Sequence, residues 1–260
     1  MTQSERRTYL ISALLKEQPQ YSETEIPKGE AEQKILLRSL FNIRMPIPVS
    51  GEFSKVQDEY LQEEIKLKGV TDIADLQPVQ DGIYLWKGDI TTLKCDAVVN
   101  AANSQMLGCF CPNHGCIDNA IHTYAGVGLR LECAKIMNAQ RTAEPTGKAK
   151  ITRAYNLPCR YVLHTVGPIV SGVLTKKHCE QLASCYRSCL ELAEQYNLKS
   201  VAFCCISTGE FRFPNDRAAE TAIQAVKEYK TRTQSEIKVI FNVFKEIDYN
   251  IYRKLLGADK

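Results

Sequence analysis

Six short runs of β-branched, aromatic and small apolar residues recur from residue 82 onward: GIYLWKG, CDAVVNAA, KAKITRAYNL, RYVLHTV, KSVAFCCIS and IKVIFNVF. Several are apolar throughout instead of alternating, the pattern of strands covered on both faces. Helical stretches, HCEQLASCYRSCLELAEQYN, DRAAETAIQAVKEYKTR and EIDYNIYRKLL, lie between and after them, and Asp216 stands where it can cap the second. Strands alternating with helices imply a sheet between helical layers. Residues 1–78 follow another rule. RRTYLISALLKEQ, AEQKILLRSLFNIR and FSKVQDEYLQEEIKLKG space apolar residues by three and four, with breakers such as PIPVSGE between them. The expectation is a helical extension over 1–78 and an α/β domain over 79–260.

With 260 residues, 44% of them hydrophobic and 24% charged, the chain can bury one substantial core plus an appendage. A net charge of +3 without a clustered basic face argues against nucleic-acid or membrane partners. The arginine pair before YLISALL resembles the start of an export signal. That run ends at Lys16 without a small-residue cleavage site, so it reads as an amphipathic helix. No apolar stretch approaches the roughly 18 residues of a membrane span, and a cytoplasmic location is expected. Eleven cysteines in such a chain are free thiols, metal ligands or a nucleophile. Cys133, Cys159, Cys179, Cys185, Cys189, Cys204 and Cys205 lie inside apolar patterns and read as small buried hydrophobes.

Ligands of such folds bind beyond the carboxyl ends of strands, which selects three loops. The loop after CDAVVNAA holds Cys109, His114 and Cys116, a soft sulfur and nitrogen set suited to zinc. Three readings stand: a catalytic zinc with one open position, a closed structural zinc with Cys111 or Cys95 as fourth ligand, or no metal. C-x4-H-x-C is not a standard finger spacing and does not choose among them. A nucleophilic cysteine with His114 or His122 as base is weaker, because clustered thiols favour a metal. Asp118 and His122, four residues apart, share a face of a helix beginning near DNAIH; His122 reads as a satisfied structural histidine. In STGEFRFP, the backbone of Ser207, Thr208, Gly209 and Glu210 can converge on an anion, with an ordinary turn as the competing reading. In KGDITTL, the Asp89 carboxylate can accept from a nucleobase amino group.

In this order and spacing, KGDITTLKCDAVVNAANS, CIDNAIHTYAG and ISTGEFRFP resemble the macrodomain, an ADP-ribose-binding three-layer α/β/α fold with a mixed central sheet. The insertion GCFCPNHGC is similar to that of the zinc-dependent microbial branch, whose members are protein ADP-ribose hydrolases with a helical N-terminal extension. The resemblance implies that Asp89 and the Ile90 N–H recognise adenine and that Asn103 holds the distal ribose. Ser207, Thr208, Gly209, Glu210 and Phe211 would cradle the diphosphate, with Phe211 closing over the ribose. Cys109, His114 and Cys116 would bind one zinc ion, leaving Cys111 a bystander, and Asp118 would stand beside the distal ribose, making Asn103 and Asp118 the catalytic pair.

The implied function is zinc-dependent removal of ADP-ribose from mono-ADP-ribosylated side chains, Asp- or Glu-linked. The implied substrate is a lipoylated carrier protein modified by a sirtuin-type transferase. The alternative is a non-catalytic ADP-ribose-binding module with a structural zinc. Two departures stand out: the cysteine-histidine loop replaces a glycine-rich run, and Arg212 stands where many relatives have a second glycine.

Overall fold

The structure, a computed structural model, describes residues 1–21 and 23–258. Its first elements are helices α1 (Gln3–Lys16), α2 (Glu30–Ile43) and α3 (Gly51–Lys68). Thr2 opens α1 with a reciprocal capping box to Glu5, and Ser50 opens α3 by accepting from the Phe53 N–H, each cap being worth about 1 kcal/mol. Leu10, Ile11 and Leu14 of α1 meet Leu37, Leu40 and Phe41 of α2 and Phe53, Val56 and Tyr60 of α3 in a small core of their own. Gly69, at φ 85°, ends α3 in a conformation that glycine adopts freely.

The chain then runs through β1 (Thr71–Asp72), β2 (Ile83–Lys87), β3 (Leu93–Lys94), β4 (Ala97–Ala101), α4 (Ile117–Ala125), α5 (Val127–Gln140), β5 (Ala149–Arg153) and β6 (Tyr161–Thr165). It closes with α6 (Lys176–Gln195), β7 (Ser200–Phe203), α7 (Asn215–Thr233), β8 (Lys238–Val243) and α8 (Glu246–Leu255). The main sheet has the order β2-β8-β7-β4-β6-β5, parallel except where β5 pairs antiparallel with β6. Val98, Val99, Val201, Ala202, Val239 and Ile240 are fully buried, as expected of central strands covered on both sides. Helices α6, α7 and α8 pack side by side as one layer, and α4 with α5 form the other, onto which α2 and α3 dock. A mixed sheet between helical layers, with helices preceding it, is therefore the observed architecture.

All six runs read as strands are strands. Helix α5 has no counterpart in the sequence reading. Its buried face mixes Leu129, Cys133 and Ala134 with Arg130, and a charged residue in the stripe hides the helical period. The guanidinium is accommodated because it donates to the carbonyls of Leu107, Phe41 and Arg44 at 2.7, 3.0 and 2.6 Å. Asp216 is not the cap of its helix. Pro214 takes that position and α7 begins at Asn215, so Asp216 sits in the first turn and acts only through its charge.

Candidate functional site

The chain leaves β4 toward β6 and β5 on one side, and leaves β7 toward β8 and β2 on the other. Beyond the carboxyl ends of β4 and β7 their loops part, leaving the crevice that such a reversal of strand order creates. An open cleft of about 870 Å³ occupies it, lined by all three loops singled out from the sequence, within the usual size of ligand sites.

At one end lies Asp89. Its Oδ1 accepts from the Thr91 N–H and hydroxyl at 3.0 and 2.6 Å, and its Oδ2 accepts from Lys68 Nζ at 2.8 Å. Burial alone would raise this carboxyl, but the bonds from Lys68 and Thr91 hold it below the usual aspartate range. Lys68 is the last residue of α3, and its ammonium stands 3.4 Å over the Tyr124 ring. Ile90 and the exposed Phe244 line the cleft nearby. Phe244 was not read from the sequence, although the end of strand β8 falls under the same loop rule.

Next come the sulfur donors. Cys109 Sγ lies 3.6 Å from His114 Nδ1, and the donor atoms of Cys109, His114 and Cys116 all lie within 4.8 Å of one another. Cys116 doubles as the cap of α4, its sulfur accepting from the Asn119 N–H at 3.4 Å. Burial, with the Cys109 thiol beside it, pushes the Cys116 thiol up to about 12, and a bound cation is what would deprotonate such a pair. Two sulfurs and one ring nitrogen at this separation suit zinc and fall one short of its preferred four ligands. Neither candidate for the fourth belongs to the group: Cys111 is exposed, and Cys95 is buried with its thiol donating to the Ala97 carbonyl. From the opposite wall, Glu210 Oε1 comes to 3.5 Å from His114 Nε2. With Nδ1 facing the sulfurs, this is the carboxylate–histidine arrangement that orients metal ligands.

Asn103 and Asp118 meet beside this triangle. Asn103 Nδ2 donates to Asp118 Oδ2 at 3.2 Å and to the Gly108 carbonyl at 3.0 Å, while Asn100 Nδ2 donates to Asp118 Oδ1 at 2.7 Å. Burial raises the Asp118 carboxyl to about 6, opposed by Asn100, Arg130 and Asn103.

His122 departs from the expected satisfied histidine. Both ring nitrogens are buried without a hydrogen bond among the described residues, and Nε2 stops 3.6 Å from Asp118 Oδ1. The helical spacing brings the two together, but the ring is wedged under Gly108, where a Cβ would lie 2.8 Å from Cγ. Beneath it, His164 Nδ1 meets Asn100 Nδ2 at 3.2 Å and Nε2 meets Thr152 Oγ1 at 2.9 Å. Burial lowers His164 to about 3, so the ring is neutral; Nδ1 accepts from Asn100 and Nε2–H donates to Thr152. His122, Cys133 and His164 also cluster, but the neighbouring Arg130 charge opposes a cation there and the Asn100 and Thr152 bonds account for His164. This is a polar core that braces Asp118.

The third loop forms the far wall. Ser207 is left-handed at φ 67° and Arg212 at φ 55°, so the turn is held in conformations that cost non-glycine residues about 1 kcal/mol or more each. This explains why a second glycine suits the Arg212 position. The N–H groups of Gly209, Glu210 and Phe211 find no carbonyl acceptor among the described residues, and Ser207 Oγ is buried without a partner. Free donors converging at one turn make an anion cradle. Phe211 is held over the cleft by the Val170 N–H bonding its carbonyl at 2.8 Å.

Sequence reasoning missed Lys68, Tyr124, Arg38 and Asn42, which enter from, or pack against, the N-terminal helices. Tyr124 lies within CIDNAIHTYAG, where nothing local gives it a role, and no motif contains Lys68, Arg38 or Asn42; each of the four is defined by a partner at least 20 residues away.

Comparison with known proteins agrees with this geometry. Residues 99–222 match the family model described as the Macro domain. A protein-ADP-ribose hydrolase of Treponema medium is 58% identical over 261 residues, covering 99% of this chain and 100% of its own. Another, from Staphylococcus aureus (strain MSSA476), is 48% identical over 256 residues, covering 98% and 96%. The crystal structure of a Trypanosoma brucei macrodomain in complex with ADP-ribose superposes with a TM-score of 0.65 at 30% identity, over 89% of this chain and 97% of that one. The chain therefore belongs to the macrodomain family and, within it, to the protein-ADP-ribose hydrolases that share its full length.

Proposed function

We propose that the cleft is a zinc-dependent site that removes ADP-ribose from mono-ADP-ribosylated protein, with Asp- or Glu-linked esters as substrates. One observation carries the reading: the donors of Cys109, His114 and Cys116 and the Asn103–Asp118 pair line the same cleft, and Glu210 reaches His114 across it. Asp89 and the Ile90 N–H hold adenine, and the turn from Ser207 to Phe211 holds the diphosphate. The distal ribose then falls at Asn103, against the sulfur donors.

Cys109, His114 and Cys116 would hold the zinc ion, which when bound would supply Lewis acidity and a water of lowered pKa. The chain's own groups order the sugar. Asn103 Oδ1, which among the described residues accepts only the Gln105 N–H, takes a ribose hydroxyl on its second lone pair. Asp118, braced by Asn100 and by Asn103 Nδ2, accepts from the neighbouring hydroxyl, so the anomeric carbon is presented in one orientation. The 207–211 backbone binds the diphosphate, and Phe211 shields the ribose from bulk water. Water adds across the bond between the anomeric carbon and the side-chain oxygen, releasing ADP-ribose and a free carboxylic acid. The family resemblance favours a lipoylated carrier protein, modified by a sirtuin-type transferase, as the partner. A cytoplasmic location and a division of the chain at residue 78 belong to the same reading.

The test incubates purified protein with one carrier ADP-ribosylated on glutamate and another on serine, with and without a zinc chelator. Loss of label from the glutamate-linked carrier alone, abolished by the chelator, is expected. Tight ADP-ribose binding with no loss of label over hours would make the protein a binding module, and chelator-resistant release would remove zinc from the reaction.

A further inference from the structure

Helix α2 reaches out of the extension and grips the segment that carries the sulfur donors. Arg38 donates from Nη2 to the His114 carbonyl at 3.0 Å, and from Nε and Nη2 to Asn119 Oδ1 at 3.2 and 2.8 Å. One turn later, Asn42 accepts from the Asn113 N–H at 2.9 Å and donates to Thr123 Oγ1 at 3.0 Å. Between them, Ser39 Oγ accepts from the Asn113 side chain at 2.5 Å. The grip continues inward. Asn119 donates from Nδ2 to the Cys111 carbonyl at 3.0 Å and from its N–H to Cys116 Sγ at 3.4 Å, while Thr123 donates to the Asn119 carbonyl at 2.7 Å.

These bonds hold the backbone at positions 111, 113 and 114, which is the link between Cys109 and the other two donors. Asn113 is left-handed at φ 54°, a conformation asparagine tolerates better than most side chains, and both its N–H and its side-chain amide are held by α2. Asn42 is 1% exposed and Asn119 fully buried. Removing one partner therefore strands a buried polar group that must move to be satisfied.

We propose that Arg38 and Asn42 are positioning residues for the metal triangle, so that the N-terminal extension sets the separation of Cys109, His114 and Cys116 before an ion arrives. The proposal rests on the zinc reading above. It differs from a purely stabilising role for α2 because it ties ion affinity to two named side chains and not to the bundle as a whole.

The test uses the full chain with Arg38→Met, Asn42→Ala and Arg38→Lys. Arg6→Gln is the control, since Arg6 pairs with Glu59 at 2.9 Å and ties α1 to α3 without touching the loop. Zinc affinity is measured by chelator competition, ADP-ribose affinity by calorimetry on metal-free protein, and folding by circular dichroism. Zinc affinity is expected to fall about 10- to 100-fold in Arg38→Met and Asn42→Ala, the usual cost of losing partners that orient metal ligands. ADP-ribose affinity should stay within about threefold, Arg6→Gln should match the wild type in zinc affinity, and Arg38→Lys, which keeps the charge but only one donor nitrogen in place of two, should fall between. Folded Arg38 and Asn42 variants that bind zinc within about twofold of wild type would overturn the proposal, as would an equal loss in Arg6→Gln. If Arg38→Met does not fold, Arg38→Lys at wild-type zinc affinity overturns it. A wild-type protein that binds no zinc would instead overturn the zinc reading on which it stands.

Discussion

Asp118 shows how one side chain inherits its chemistry from its surroundings. Two asparagine amides fix its oxygens, and burial brings its carboxyl to about 6. Asp118→Asn keeps the shape and removes the charge. Single-turnover release of ADP-ribose should fall about 10²-fold, the cost of misplacing a reacting group by about an ångström, while calorimetry shows ADP-ribose affinity within about threefold. Equal losses in both would make Asp118 a binding residue only. The histidines beneath it predict a pH dependence of stability. His122 lies well below the ordinary 6.5 and His164 at about 3, so both are neutral when folded and take up protons on unfolding in mild acid. Their contribution is complete above about pH 6.5 and is lost below it, at roughly 1.4 kcal/mol per pH unit for each. Asp118, raised from 3.8 to about 6, opposes one of them as it protonates in the folded state. The urea midpoint of metal-free protein should therefore drop from pH 7 to 5, and drop further in Asp118→Asn. A flat midpoint in both would contradict this account. The residues within local motifs, Asp89, Asn103, the cysteine-histidine loop and the 207–211 turn, could be named from the chain. The lone pairs and protons that define their roles could not, because they depend on Asn100, Thr152, His164 and Arg130, which come together only in the folded core.

At the scale of elements, the N-terminal helices enter the site twice. Helix α2 bonds to the cysteine-histidine loop, and α3 places Lys68 on Asp89. The sequence showed three amphipathic helices but not their docking. Apolar spacing marks the face that builds the bundle's own core, whereas Arg38, Asn42 and Lys68 lie off that stripe and read as ordinary polar surface. Helix α5 was hidden for the opposite reason, since Arg130 interrupts its buried face. The strands were readable because both faces are buried, and an uninterrupted apolar run needs no knowledge of its neighbours. For Lys68, magnitude limits the expectation. The pair with Asp89 is about one-third exposed on each side, and such pairs are worth roughly 1 kcal/mol or less. Lys68→Met should weaken ADP-ribose binding by calorimetry no more than about fivefold. A loss beyond fiftyfold would mean that Lys68 contacts the ligand directly, and tighter binding would mean that it competes with adenine for Asp89.

Across the whole molecule, the reversal of strand order between β4 and β7 opens the cleft, three loops furnish it, and a bundle outside the sheet braces two of its walls. Among the described residues no helix is long and apolar enough to cross a membrane. The fold is shared with macrodomains at large, and three soft donors stand in its cleft beside Asn103 and Asp118. On the function proposed above, these donors place part of the chemistry on a metal. Cys116→Ala tests this most directly, with zinc content, turnover on a glutamate-linked ADP-ribosylated carrier and ADP-ribose affinity measured on one preparation. The account predicts loss of zinc and of turnover together, with the fold intact and ADP-ribose affinity largely kept. Turnover that persists in a folded, zinc-free Cys116→Ala protein would contradict it.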